Sequence, residues 1–314
     1  SSAASDVYKR QLMSEAAKKI YAAKGRPSDN PLIVHISKTE DVNNIAREIP
    51  EIFYKLAECF WPGPMTVVLK KRSIIPDDTS GGLDTVAVRL PDNNIARALI
   101  EVSKVPIAAP SANTSGRPSP TRASHVFDDM DGRIDMIIDG GTVGIGVEST
   151  IVDLTGDIPT LLRPGAVTFE MLQEVCTEVD IDPAIEHLLA SGEAPKAPGM
   201  KYKHYAPKAD MKMLKGNEAA VLDYLKKEIS KSEIKTAILT VDEHRAVLEK
   251  IIADNNKGNI KLLSLGSLKD MKTVAHNLFD VLRKCDELGV STILSESFDE
   301  SGIGRAIMNL SLIH

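Results

Sequence analysis

Cysteine is scarce in this chain. Cys59, Cys176 and Cys285 lie far apart and form neither a Cys-x-x-Cys pair nor a Cys/His cluster. That excludes a zinc ribbon and a disulfide scaffold, and it fits a reducing compartment. Aromatic residues make up 4% of the sequence, too few for a base-stacking nucleic-acid surface. No apolar run approaches the roughly 20 residues of a membrane span. No stretch reads as a signal peptide, so a cytoplasmic protein with no membrane partner is the expectation. Positive charge is not in excess: 38 Lys and Arg face 44 Asp and Glu, for a net charge of −6. Whole-surface attraction to nucleic acid is therefore excluded, and any anion site must be a local patch. The strand ends of the C-terminal half lack a Gly-x-Gly-x-x-Gly turn, so a dinucleotide site is not supported there.

What is present is enough for two domains. The chain has 314 residues, 43% of them apolar, sufficient for separate cores. The first eleven residues, SSAASDVYKRQ, are polar and without period, and read as a leader. Leu12 to Ala23 reads as a helix. Asp41 to Glu48 and Ile52 to Phe60 read as two more, split by Pro50 and stopped by Trp61-Pro62-Gly63-Pro64. Met65 to Leu69, Thr85 to Leu90, Pro106 to Ala109, Met136 to Asp139, Ser149 to Leu154 and Thr160 to Arg163 read as strands. Strands and helices without strict alternation predict an α/β domain with a mixed sheet over residues 12–178. Residues 179–210 are rich in Pro, Ala and Lys and predict a linker. Residues 211–314 alternate strand and helix regularly, which predicts a small parallel, Rossmann-like sheet.

Four stretches carry candidate chemistry. In KGRPSDNPLIVHI, Lys24 and Arg26 straddle Gly25 ahead of a run of turn formers and a buried strand ending at His35. Two fixed cations at the mouth of a strand suit an anion such as phosphate, although a solvated basic turn has the same residues. The loop from Ala108 to Thr121, AAPSANTSGRPSPT, offers Ser111, Asn113, Thr114, Ser115, Ser119 and Thr121 as donors; a loop this long inside a domain is more often functional than idle. In TVAVRLP, Thr85 and Arg89 share one face of a strand, and an arginine at a strand end can grip a carboxylate with two bonds. GIGVEST is followed by Arg163-Pro164-Gly165, another cation at a strand end.

Taken in order, KGRPSDNPLIVHI, WPGPMT, VAVRLP, APSAN, GVEST and RPGA resemble the YrdC-like family. The linker PGMKYKHYAP and the alternating C-terminal part resemble its long, two-domain form. The resemblance runs from about Leu12 to Asn309. It implies a YrdC-like twisted mixed-sheet domain followed by the Rossmann-like one. It also implies a nucleotidyltransferase that joins L-threonine, bicarbonate and ATP into threonylcarbamoyl-adenylate for tRNA modification. By this resemblance Lys24 and Arg26 are the catalytic cations. ATP would be held by Lys24, Arg26, Asn30, Thr85, Ser111, Asn113, Ser119 and Arg163, with Tyr202 or Tyr205 of the linker nearby. Threonine would meet His35, Arg89, the backbone near Ala109, and Ser149. Mg²⁺ is expected to arrive with ATP, with no side-chain metal ligand. tRNA, or the transferase that takes the adenylate, is a further expected partner.

The family also places a strand and a Pro-Thr-Glu-Thr-Val-Tyr-Gly segment ahead of the first matching helix, where this chain has SSAASDVYKRQ. An N-terminally truncated domain is therefore expected. Two other readings compete with this one. A carbamoyl-adenylating relative of hydrogenase maturation would carry acylphosphatase-like and zinc-finger regions, which nothing here resembles. An RNA-binding module without catalysis is opposed by the acidic balance and the few aromatics.

Overall fold

Every position from Met65 to Leu69 is apolar or threonine, and in the computed structural model all five are buried. A strand buried on both faces belongs at the centre of a covered sheet, and β3 (Met65–Lys71) is such a centre. The structure describes residues 14–185, 197 and 206–312. Within them the chain divides into two units. The first is 14–115, 122–141, 148–185 and 197; the second is 116–121, 142–147 and 206–312.

The first unit opens with α1 (Ser14–Lys24) and β1 (Ile33–His35). α2 (Val42–Ile45), β2 (Ala46–Arg47) and α3 (Glu51–Phe60) lead into β3. α4 (Asp77–Ser80), β4 (Thr85–Arg89), α5 (Asn94–Ser103) and β5 (Ile107–Ala108) follow. α6 (Ala123–Met130), β6 (Thr150–Asp153), β7 (Thr160–Arg163), α7 (Phe169–Val175) and β8 (Asp180–Ile181) complete it. The strand order is β5-β1-β4-β3-β6-β7-β8, with β2 on β3. β1–β4, β3–β6 and β7–β8 run parallel; β1–β5, β3–β4 and β6–β7 run antiparallel. One sheet face carries Val34, Val67, Val88 and Val152 and packs on Phe53, Leu56, Trp61 and Leu172. Each fully buried side chain of this kind contributes roughly 1.5–3 kcal/mol. The other face carries a smaller apolar cluster, Ile33, Val68, Ala87 and Ile151.

Three expectations change. Asp41 to Glu48 is not one helix: a 3-10 turn over Thr39–Asp41 and the single turn α2 give way to β2, because Ala46 and Arg47 pair with Lys71 and Lys70. Ladder pairing has overridden local helix propensity. Met136 to Asp139 forms no strand, and Met136 and Ile138 are exposed; a short apolar run without a ladder partner among the described residues does not make a strand. Asp180 and Ile181, placed in the linker by composition, pair with β7.

The second unit comprises β9 (Asp210–Leu214), α8 (Glu218–Lys231), β10 (Thr236–Val241), α9 (Asp242–Asp254), β11 (Ile260–Gly266), α10 (Met271–Leu288), β12 (Thr292–Glu296) and α11 (Ile303–Leu312). Its sheet, β11-β10-β12-β9, is all parallel. Val221, Leu225 and Leu248 of α8 and α9 cover Ile238 and Leu294. Leu278, Leu282 and Ile307 of α10 and α11 cover Ala237, Leu239 and Ile293 on the other face. Segments 116–121 and 142–147 dock on α10: Arg283 Nη2 donates to Pro118 O at 2.6 Å, and His276 Nδ1 to Gly144 O at 2.9 Å.

Candidate active site

α1 stops at a glycine. Gly25 takes φ +62°, the left-handed angle that ends helices without a Cβ penalty. The backbone N–H of Gly25 and Arg26 then donate to Ala22 O and Tyr21 O. The turn leaves Lys24 buried at the helix end and throws Arg26 onto the segment that follows. The Lys24 ammonium donates to Ser111 O at 2.5 Å, Asn113 O at 2.5 Å and Asn113 Oδ1 at 3.3 Å. Its three protons thus have three acceptors on the 111–113 loop, and Ser115 N donates back to Lys24 O at 2.8 Å. Arg26 donates from Nε to Asn30 O at 3.4 Å and from Nη2 to Pro31 O at 3.1 Å. Asn30 is 1% exposed, yet neither atom of its side-chain amide has a hydrogen-bond partner among the described residues. A buried amide left unpaired is costly unless a ligand or water completes it.

The sheet register builds the second part. His35 pairs with Arg89, Arg89 with Thr66, Thr66 with Ile151, and Ile151 with Arg163. Five strands therefore contribute one row. Arg89 Nε donates to Gly63 O at 3.0 Å, so the WPGP turn holds the guanidinium. Arg163 donates from Nε to Ser149 O at 3.0 Å and from Nη2 to Ser149 Oγ at 2.9 Å, and its Nη1 lies 2.7 Å from Glu148 Oε2. Ser149 Oγ lies 2.8 Å from Thr66 Oγ1. The turn after Arg163 packs tightly here: a Cβ on Gly165 would stand 2.4 Å from Thr150 N and 2.5 Å from Glu148 O.

The electrostatics share one sign. Burial, then the neighbouring Arg26, brings Lys24 down to about 8, with Glu148 and Asp129 pulling the other way. Burial, then Arg163, brings Arg89 down to about 10. Burial, then Arg89, brings His35 down to about 4. Each group is held below its ordinary value because protonation adds charge to a desolvated, positive neighbourhood. An anion entering it would relieve all three.

The structure brings most of the expected residues into the first unit and sorts them by strand end. Arg26 and Asn30 precede β1, and Thr85 begins β4, its parallel neighbour. His35 and Arg89 end those same strands. Four residues of extended chain, about 13 Å, separate Thr85 from Arg89. Ala109 N donates to Ile33 O at 2.9 Å, midway along. Ser119 belongs to the second unit. There it is buried, its hydroxyl without a hydrogen-bond partner among the described residues. Tyr202 and Tyr205 lie outside the described residues. Sequence reasoning passed over Thr66 and Glu148. Both stand inside quoted motifs, WPGPMT and GVEST, but Thr66 reads as part of a core strand and Glu148 as a spacer before Ser149.

Comparison with known proteins completes the description. A family described as "Telomere recombination" matches residues 10–165, and one described as "Threonylcarbamoyl-AMP synthase, C-terminal domain" matches residues 167–310. The threonylcarbamoyl-AMP synthase of Pyrococcus abyssi is 46% identical over 95% of this chain and 84% of its own length. That of Bacillus subtilis is 44% identical over 94% of this chain and 82% of its own. The crystal structure of P. abyssi Sua5 complexed with L-threonine is similar at a TM-score of 0.86 and 44% identity, covering 96% of this chain and 84% of that one. No helix among the described residues is long and apolar enough to cross a membrane.

Proposed function

The chain belongs to the threonylcarbamoyl-AMP synthase family, and on that premise we propose that it joins L-threonine, bicarbonate and ATP into threonylcarbamoyl-AMP, releasing pyrophosphate. It is an enzyme of the nucleotidyltransferase type. The observation that carries the reading is the direct hydrogen bonding of Arg163 to Ser149. One is assigned to the nucleotide and the other to the amino acid, so the two reactants meet at that contact.

In this reading the threonine carboxylate lies against Arg89, with His35 and Ser149 beside it. The amine adds to CO₂ derived from bicarbonate, giving a carbamate and releasing a proton. A carbamate oxygen then attacks the α-phosphorus, the α–β phosphoanhydride bond breaks, and pyrophosphate leaves. Such a displacement depends on alignment and charge neutralisation more than on a strong base. Arg26 and Arg163 supply fixed positive charge, while Lys24 clamps the Ser111–Asn113 loop and adds its own charge from behind. Asn30 completes its amide on the nucleotide. His35, pushed down to about 4 by burial and Arg89, is neutral at pH 7 and serves as a hydrogen-bonding wall.

Mg²⁺ fits here as an ion brought by the triphosphate. Glu148, the acidic side chain beside this row, is engaged by Arg163. Bound with ATP, the ion neutralises phosphate charge. Ser119, Tyr202 and Tyr205 are assigned to the nucleotide on the family resemblance. The product is a reactive mixed anhydride, so a transferase acting on tRNA is its natural consumer. A cytoplasmic location accords with the free cysteines. The test is mass spectrometry of a reaction containing ATP, L-threonine and ¹³C-bicarbonate. A labelled threonylcarbamoyl-AMP is expected; pyrophosphate release without that mass would overturn the assignment.

A further inference from the structure

Thr66 is fully buried on the central strand, in the row between Arg89 and Ile151. A polar side chain at such a place needs a reason. Its hydroxyl reaches Ser149 Oγ at 2.8 Å. Ser149 is itself 4% exposed, so water contributes little to either group.

The proton directions around Ser149 are constrained. Arg163 has no acceptor, so its Nη2–H donates and Ser149 Oγ accepts. Ser149 then has one proton to place. If it donates to Thr66, nothing is left for a substrate. If Thr66 donates instead, Ser149 Oγ accepts from both neighbours and its proton is free to point into the site. An arriving carboxylate or carbamate oxygen selects the second arrangement. The same hydroxyl is fixed from the other side by a guanidinium that Glu148 also grips.

We propose that Thr66 is a positioning residue that sets the hydroxyl of Ser149, and that the relay Thr66–Ser149–Arg163 makes amino-acid and nucleotide binding interdependent. The inference rests on the substrate reading above. Movement of the Arg163 guanidinium toward a phosphate changes its bond to Ser149. The Thr66 hydroxyl decides whether Ser149 can answer by turning its proton to the amino acid. By linkage, each ligand then changes the other's affinity by the same factor.

The experiment is calorimetric titration of the full chain with L-threonine and with α,β-methylene-ATP, each alone and with the other saturating. Wild type, Thr66→Val and Thr66→Ser are compared. Wild type is expected to show a coupling factor of about 5 to 50. Thr66→Val keeps the shape but removes the donor that fixes the Ser149 oxygen, so the Ser149 proton is free but no longer aimed at the site; it should weaken L-threonine about tenfold, bring the coupling factor toward 1, and leave the nucleotide analogue alone within about twofold. Thr66→Ser should restore both threonine affinity and coupling, a recovery that simple loss of packing would not give. Thr66→Val with wild-type threonine affinity and coupling overturns the proposal, as does a wild type that binds both ligands independently; the latter needs no variant to fold. A wild type that binds neither ligand overturns the substrate reading, and the relay with it.

Discussion

Lys24 makes the sharpest test of the site, because its burial has opposite consequences for stability and for function. Its ordinary value is 10.5, and burial with Arg26 nearby brings it to about 8 in the folded protein. Below about pH 8 it is protonated in both folded and unfolded chains and adds no pH dependence. Between about 8 and 10.5 the folded protein has released a proton that the unfolded chain still holds. The unfolded state then binds more protons, so stability rises with pH. At about 1.36 kcal/mol per pH unit the full window amounts to about 3 kcal/mol. Lys24 is 4% exposed, so solvent screening removes little of this. The assay is urea unfolding at intervals from pH 7 to 11, followed by the fluorescence of Trp61. That residue is the sole tryptophan of the sequence and reports the first unit. Wild type minus Lys24→Met isolates the contribution, since other groups titrate in both. ATP affinity should move the other way, falling as pH passes about 8 and the ammonium is lost. Parallel stability curves for the two proteins would refute the argument, for then Lys24 is not held in a desolvated, positive pocket.

Other outcomes follow from single contacts. Arg26→Ala should weaken ATP binding by about 1.5–3 kcal/mol, the loss typical of a charge-assisted contact; unchanged affinity in a calorimetric titration removes Arg26 from the site. Asn30→Ala should change the stability of the ligand-free protein by no more than about 1 kcal/mol, because the truncation cavity is offset by removing two buried atoms that have no partner among the described residues. It should still weaken ATP binding, and a loss of stability beyond about 3 kcal/mol would mean that the amide has a partner. His35, at about 4, should show no imidazole titration between pH 5 and 8 by NMR; a midpoint inside that range would mean that the Arg89 side of the pocket is wetter than its burial indicates.

The parts of this site that a reader can find in the sequence are those whose cause is local. Gly25 between two cations, a run of turn formers and a three-residue buried strand all lie within thirteen positions, and the structure forms the turn there. Arg89 and Arg163 are visible because each ends a strand just ahead of a breaker, Leu90-Pro91 in one case and Pro164-Gly165 in the other. The row from His35 to Arg163 was not visible, because it exists only through a register joining strands far apart in the chain. Thr66 shows the limit most clearly. MTVVLK reads as a buried strand and is one, and nothing local tells the threonine of such a strand from its valines. The misread segments fail for the same reason. Ala46 and Arg47 become a strand because Lys70 and Lys71 offer a ladder, and Met136 to Asp139 stays irregular because no strand among the described residues does.

The groups that define the site are also those that the ligand-free fold tolerates least well. Lys24, His35 and Arg89 are all held below their ordinary protonation values, and the buried Asn30 amide has no hydrogen-bond partner among the described residues. Lys24, Arg89 and the amide cost stability at neutral pH, and His35 does so below its ordinary value of 6.5, so a fold selected for stability alone would replace them with apolar residues of similar size. Their common remedy is a ligand that brings negative charge and oxygen acceptors together. On the proposed reading ATP supplies that combination at one end of β1 and β4, and a carboxylated amino acid supplies it at the other. The two proposed substrates would relieve this buried positive charge from opposite ends, and the Arg163–Ser149 contact is where the two effects meet. Binding energy released at either end is thereby available to align the reacting atoms at the contact between them.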